Sequence, residues 1–139
     1  MTPAEIETDF ADLRNRHIAL CSETAGCNTR ILDYGTKRDE ARAQMKSIEA
    51  SMWVNGGSAT QPIDGKNEKL RDAQHQIACE SSLDWARAAQ DMRSFQSLVE
   101  FEERELAGWC NALRGIELAM QLRIEQFQYL NTPRFYRET

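Results

Sequence analysis

A heptad pattern of apolar residues runs through the first third of the chain and constrains its fold more than any other feature. Steps of alternately four and three residues from Ile6 lead to Phe10, Leu13, His17, Leu20, Thr24, Cys27, Ile31, Tyr34, Arg38, Ala41, Met45, Ile48 and Met52. We call these positions the first seam. Their 3.5-residue period predicts a long helix that packs lengthwise against another helix.

A second heptad pattern starts at Trp85. Its further members are Ala88, Met92, Phe95, Val99, Glu102, Leu106, Trp109, Leu113, Ile116, Met120, Arg123, Phe127 and Leu130, and we call it the second seam. Before Trp85, the spacing through Ile77 and Ser81 is four plus four. This stutter predicts local unwinding of a supercoil within one continuous helix.

Capping and turn residues set the expected helix ends. Thr2 followed by Pro3 is typical of a helix start, and Asn55, Gly56 and Gly57 favour a helix end. Pro133 stops the second helix. The predicted elements are a helix over about residues 3–54, a loop over about 55–64, a helix over about 65–131 and a tail over 132–139.

Two long helices joined by a short loop pack antiparallel, so the sequence predicts an all-α, coiled-coil-like hairpin in one domain, residues 1–139. A turn centred near residue 60 sets Tyr34 opposite Trp85. It also sets His17 opposite Glu102, which predicts a buried polar pair because buried polar groups need partners.

The second helix is predicted to be longer than the first, by about 15 to 22 Å at 1.5 Å per residue. Apolar residues on that overhang would be exposed, which usually marks an interface. We therefore expect a homo-oligomer, a dimer or higher, that forms a helical bundle. The predicted oligomer interface consists of Leu113, Ile116, Met120, Arg123, Phe127 and Leu130.

Composition limits the kinds of partner and compartment. The net charge of -5 and the pI near 5.1 argue against a surface for duplex nucleic acid, which needs clustered cations. The sequence contains no run of about 18 apolar residues that could span a bilayer. Residues 1–12 are acidic, unlike a signal peptide. These features predict a cytoplasmic protein without membrane contact and with reduced cysteines.

Each histidine lies four residues before a cysteine, His17 before Cys21 and His75 before Cys79. This spacing places both side chains on one helix face, as a Cys2His2 zinc site requires. In the predicted hairpin, however, the two pairs are about 40 Å apart. We therefore expect no metal site and no cofactor, with His17 partnered in the seam and His75 exposed.

Acidic residues are dense between Glu100 and Glu105, but on a helix they point in different directions and are typical of a solvated face. The sequence contains no convincing nucleophile with a base and a third, orienting group. Neither of these patterns indicates catalysis, so we expect a protein that is not an enzyme.

Basic residues at the turn and near the C-terminus are candidate phosphate contacts. Arginine in a seam must pair, extend to solvent or bind an anion. The candidates are Lys66, Asn67, Arg71, Arg123, Arg134 and Arg137. A solvated turn and a frayed tail are the competing interpretation.

The stretch IDGKNEKLRDAQ, Ile63–Gln74, resembles an Ile-x-Gly-Lys-Asn turn motif of small helical proteins encoded by phages and prophages. The stretch LVEFEERELAGWCNALRGIELAMQLR, Leu98–Arg123, is similar to their second helix. The resemblance implies a viral origin, the host-cell cytoplasm as location, and importance of Gly65, Lys66, Asn67 and Arg71.

These observations favour a non-enzymatic interaction protein that oligomerises and binds a host or viral macromolecule, in phage DNA metabolism or in the inhibition of a bacterial defence system. The alternative is a phosphate-ligand binder, for single-stranded nucleic acid or a nucleotide, that uses basic residues gathered in an oligomer.

Overall fold

The computed structural model describes residues 2–133, and every regular element in this range is a helix. The helices are α1 (Pro3–Val54), α2 (Glu68–Ser81) and α3 (Leu83–Asn131). The all-α fold class is therefore confirmed. Arg134 and Arg137, with the rest of the tail beyond Pro133, lie outside the described residues.

Helix α1 begins and ends where its caps predict. The Thr2 hydroxyl accepts a hydrogen bond from the Glu5 N–H (3.2 Å), and the Glu5 carboxylate accepts one from the Thr2 N–H (2.9 Å), which forms a capping box. At the other end, Gly56 and Gly57 have φ angles of 67° and 88°. The Gly57 N–H donates to the Met52 carbonyl at 2.8 Å, which closes the helix.

Both seams lie on buried faces, as their period predicts. Each of the 14 positions of the first seam and each of the 14 positions of the second seam is buried or half-buried. Even the polar members follow this rule, since Glu102 is only 8 % exposed. The heptad pattern thus identified the packing faces of α1 and α3 correctly.

The continuous second helix predicted over about residues 65–131 is wrong at two points. It starts at Glu68, where the Asn67 carboxamide accepts a hydrogen bond from the Leu70 N–H at 2.8 Å. It is also interrupted at Ser82, which is extended (φ -75°, ψ 123°) and whose hydroxyl accepts from the Trp85 N–H at 3.3 Å. The stutter before Trp85 is therefore a helix break, because serine satisfies the N–H groups of a new helix start.

The chain divides into two compact units. Unit 1 comprises Met1–Thr29 and Glu102–Thr139, and unit 2 comprises Arg30–Phe101. In unit 1, the start of α1 lies antiparallel to the end of α3. Asp9 pairs with Arg123, and His17 Nε2 is 3.2 Å from Glu117 Oε1.

Unit 2 contains the end of α1, all of α2 and the start of α3. Arg38 donates to Gln96 at 2.8 Å, and Trp85 Nε1 donates to the Glu49 carboxylate at 3.2 Å. The buried apolar residues of this unit are small: Ala41, Ala78, Cys79, Ala88, Ala89 and Val99. Small side chains let the helices of unit 2 approach closely.

The register predicted from the sequence is wrong. Within unit 1, His17 meets Glu117 and not Glu102, a shift of 15 residues. Within unit 2, Tyr34 stacks on Phe95 rather than on Trp85, with ring centroids 6.4 Å apart. The physical reason is the connection between α1 and α3, which is not a ten-residue loop. It spans residues 55–82, including α2, and this moves the centre of the turn from residue 60 to about residue 68.

The predicted overhang of the second helix is wrong for the same reason. Arg123 of α3 pairs with Asp9 near the start of α1, and Ile116 is only 7 % exposed. The end of α3 therefore has a partner helix within its own unit.

Among residues 2–133, none of the helices carries an apolar stretch long enough to cross a membrane.

Candidate functional site

An open apolar cavity of about 330 Å³ lies in unit 1, between the first turns of α1 and the last turns of α3. We call it the phenylalanine pocket. It is lined by Ile6, Glu7, Phe10, Arg123, Ile124, Phe127 and Gln128. Its volume falls at the lower end of the range of small-ligand sites.

The seams explain why this pocket is apolar. Ile6 and Phe10 belong to the first seam and Phe127 to the second, and the two phenylalanines are only half-buried. Ile124 lies just outside the second seam and is 38 % exposed at the edge of the pocket. Two helices alone leave one side of large seam residues uncovered, so this apolar surface is accessible to a partner.

Arg123 forms the polar edge of the pocket. Its Nε donates to the Asp9 carboxylate, and its Nη1 donates to the Gln126 side chain at 2.8 Å. The Arg123 side chain is only 23 % exposed. The seam arginine thus finds its partner within its own chain, and these bonds argue against Arg123 as a phosphate contact.

The residues predicted as the oligomer interface lie on the face of α3 that packs against α1. None of Leu113, Ile116, Met120, Arg123, Phe127 and Leu130 is exposed. The argument from an uncovered overhang therefore no longer supports an interface on these six residues. An interface of unit 1 would have to use other faces of α3.

The remaining described phosphate candidates lie at the start of α2 in unit 2. Lys66 and Arg71 are exposed, and Asn67 uses its side chain to cap the helix. The Gln74 carboxamide oxygen accepts hydrogen bonds from the Asp64 and Gly65 N–H groups at 3.1 and 2.8 Å. The motif that resembles the phage proteins therefore forms the start of α2 and the turn before it, and local hydrogen bonds hold both in place.

A polar and aromatic cluster occupies unit 2 beside α2. His75 stacks on Trp53 with ring centroids 4.2 Å apart, and its Nε2 lies 2.7 Å from the Glu49 carbonyl oxygen. Cys79 Sγ lies 3.6 Å from the same nitrogen. His75 is half-buried, so the expectation that it is exposed is wrong. The hydrogen bond to a main-chain carbonyl places the proton on Nε2.

This cluster does not have the chemistry of a reactive cysteine. Burial raises the pKa of the Cys79 thiol above its ordinary value, and the nearby carboxylates Glu49 and Glu80 raise it further. A raised pKa disfavours the thiolate, which is the nucleophilic form.

Within residues 2–133, no group of three or more His, Cys, Asp or Glu side chains is placed to hold a metal ion.

Several features of these sites were not visible in the sequence. The Asp9–Arg123 pair and the Trp53–His75 stack join residues far apart in the chain, and neither Asp9 nor Trp53 belongs to a seam. Ile124 was missed because it follows a seam position directly. The available signal was the three-residue spacing of Ile124, Phe127 and Leu130, which places them on one side of α3.

Comparison of the chain with protein-family models, curated proteins and solved structures gave no significant match.

Proposed function

We propose that this chain is a non-enzymatic interaction protein that self-associates and binds a macromolecule through the phenylalanine pocket. The observation that carries the proposal is the pocket itself, an accessible apolar cavity lined by two half-buried phenylalanines. Apolar pockets of this kind receive the anchor side chains of a partner and supply most of the binding energy of an interface.

The pocket chemistry favours an apolar or aromatic anchor. Its walls are the side chains of Ile6, Phe10, Ile124 and Phe127, and the charge of Arg123 is balanced by Asp9. A balanced ion pair at the edge gives little attraction for a free anion. It can accept hydrogen bonds from a peptide that enters beside it, since the carboxylate of Asp9 has further lone pairs.

The biological setting of the proposal rests on the resemblance to small phage and prophage proteins around Gly65, Lys66, Asn67 and Arg71. A protein of this origin acts in the host-cell cytoplasm. The partner is then a phage or host protein, in phage DNA metabolism or in the inhibition of a bacterial defence system.

Substitution at the edge of the pocket tests this function. Ile124→Glu introduces a charge into the apolar cavity without removing a buried seam residue, since Ile124 is 38 % exposed. Ile18→Glu is the matched control, because Ile18 is also an exposed isoleucine of unit 1 but does not line the pocket. Both variants are immobilised beside the wild type and exposed to lysates of infected and uninfected bacteria. Retained proteins are quantified by mass spectrometry.

We expect a partner that wild type and Ile18→Glu retain equally and that Ile124→Glu retains at least about tenfold less, as for the loss of a moderate hot spot. Circular dichroism checks that both variants are folded. Equal retention by all three proteins would remove the pocket as the binding site.

A further inference from the structure

Three polar side chains of unit 1 form a hydrogen-bonded row between α1 and α3. Cys21 Sγ lies 3.7 Å from His17 Nδ1, and His17 Nε2 lies 3.2 Å from Glu117 Oε1. Cys21 and His17 lie four residues apart on one face of α1, whereas Glu117 belongs to α3. A thiol, an imidazole and a carboxylate in this order are the arrangement in which a base, oriented by a third group, activates a nucleophile. We call these residues the Cys21 triad.

The carboxylate of Glu117 decides which nitrogen of His17 carries the proton. An ionised carboxylate only accepts hydrogen bonds, so the Nε2–H of His17 donates to Glu117. In the neutral imidazole the other nitrogen, Nδ1, then has an available lone pair, and Nδ1 is the nitrogen that faces the Cys21 thiol. The thiol S–H therefore donates to Nδ1, and His17 is placed to take its proton. The negative charge of Glu117 stabilises the imidazolium that this transfer forms.

The second histidine–cysteine pair shows that the same spacing is not sufficient. His75 and Cys79 are also four residues apart, with 3.6 Å between His75 Nε2 and Cys79 Sγ. That nitrogen donates to the Glu49 carbonyl oxygen at 2.7 Å, so it carries a proton and does not accept one from Cys79. Cys79 is also only 3 % exposed. Cys21, in contrast, is exposed, and the basic nitrogen of its histidine faces it.

We propose that Cys21 is a modification site that reacts with low-molecular-weight disulfides. His17 Nδ1 takes the thiol proton, and the Cys21 thiolate attacks one sulfur of the disulfide. A new S–S bond forms between Cys21 and that sulfur while the S–S bond of the reagent breaks. The departing thiolate takes the proton from His17. Cys21 is thereby oxidised to a mixed disulfide, the departing half of the reagent is reduced to a thiol, and His17 returns to its neutral form.

The surroundings of Cys21 favour this reaction over acyl transfer. A cysteine that attacks a carbonyl group needs N–H groups that stabilise the oxyanion. Cys21 lies within α1, where the backbone N–H groups bond to carbonyl groups of the preceding turn. Thiol–disulfide exchange keeps the developing charge on sulfur and needs no such donors. Because Cys21 is exposed, a small reagent reaches it without a movement of the chain.

This modification site is separate from the proposed function. None of the three residues lines the phenylalanine pocket, so a failure of partner binding at the pocket would leave the reactivity of Cys21 as it is. Glu117 reaches His17 only through the register that the structure shows. The sequence pattern alone therefore contains the pair of His17 and Cys21 but not the group that orients it.

Reaction rates at single cysteines test the proposal. Cys110 is a matched reference within the same chain, since it is the other exposed cysteine of unit 1 and has no histidine four residues away on either side. The reduced full chain is mixed with glutathione disulfide at neutral pH, the reaction is stopped with acid at intervals, and peptide mass spectrometry gives the rate at each cysteine. We expect Cys21 to react about tenfold faster than Cys110. This is less than the factor of about 100 or more of a general base in a closed site, because the Glu117 side chain is 61 % exposed.

Two substitutions test whether the triad causes this difference. His17→Gln removes the base, so the Cys21 rate should fall about tenfold, to that of Cys110. Glu117→Gln removes the charge that orients and stabilises His17, so the Cys21 rate should fall about threefold. In the His17→Gln background, Glu117→Gln should have no further effect, because Glu117 acts through His17. The Cys110 rate should stay the same in every variant, and circular dichroism checks that each is folded.

The tautomer of His17 gives a second readout, measured from its ring-nitrogen chemical shifts by NMR. The neutral ring should carry its proton on Nε2 in the wild type, and this preference should weaken in Glu117→Gln. Equal rates at Cys21 and Cys110 in the wild type would overturn the proposal. A fast Cys21 that His17→Gln leaves fast, or a wild-type His17 with its proton on Nδ1, would overturn it as well. If His17→Gln does not fold, Glu117→Gln decides, since an unchanged Cys21 rate in that variant contradicts the triad.

Discussion

At the scale of single residues, the polar members of the seams show what a half-buried polar side chain requires. Arg123 bonds to Asp9 and Gln126, Arg38 donates to Gln96, and His17 meets Glu117. Each partner lies on the opposite helix or one turn away. Because a buried polar group without a partner is costly, the sequence predicts that partners exist but not which residues they are.

The partner of His17 can be measured with a double-mutant cycle. We expect His17→Leu and Glu117→Gln to couple by at most about 0.5 kcal/mol in mildly acidic buffer, because the Glu117 side chain is 61 % exposed and water screens the pair. His17→Leu with Glu102→Gln should be additive. The measurement is urea unfolding followed by circular dichroism. A larger coupling to Glu102 than to Glu117 would restore the register predicted from the sequence.

At the scale of elements, the segment between α1 and α3 decides how those helices align. Heptad spacing predicts which face of a helix is buried, but it is unchanged when one helix slides past the other by whole heptads. The Asn67 cap, the Ser82 break and the bonds from Gln74 to Asp64 and Gly65 fold α2 as a separate helix. With this connection, the partner of His17 lies 15 residues, and that of Tyr34 ten residues, further along the chain than predicted.

The turn after α1 offers a matched pair of glycine substitutions. Both glycines have a positive φ, but a Cβ at Gly57 would also collide with the Gln61 carbonyl oxygen, whereas a Cβ at Gly56 would meet nothing within 4 Å. We expect Gly56→Ala to cost about 1 kcal/mol of unfolding free energy and Gly57→Ala at least about 2 kcal/mol. Thermal and urea unfolding measure both values. Equal costs would mean that the turn relaxes away from the clash.

At the scale of the whole molecule, the two units share the backbones of α1 and α3. Each of these helices continues across the boundary between the units, α1 at Thr29 and Arg30 and α3 at Phe101 and Glu102. Helical hydrogen bonds span four residues, so the backbone bonds of one unit continue into the other. Local unfolding of either unit therefore frays the helices of its neighbour.

This continuity predicts that both units unfold in one transition. Trp109 lies in unit 1, and Trp53 and Trp85 lie in unit 2. Trp109→Phe leaves fluorescence that reports on unit 2, and Trp53→Phe with Trp85→Phe leaves fluorescence that reports on unit 1. We expect both signals to coincide with circular dichroism in urea. Separate midpoints, each unchanged by substitutions in the other unit, would show independent domains.

The sequence by itself determined the bounds of α1 and the buried faces of α1 and α3. Caps at Thr2 and Gly57 act through neighbouring residues, and the 3.5-residue period is a local property, so α1 was predicted with the bounds it has. Every seam position was identified as a packing position for the same reason.

Only the tertiary structure decided the alignment of the helices and therefore the sites. The phenylalanine pocket needs Phe10 and Phe127 to line one cavity, whereas the predicted overhang needed an end of α3 without a partner helix. The physical reason is that a helical seam repeats every seven residues. Its period fixes a direction around the helix axis but no position along it, and that position is set by how the connection folds.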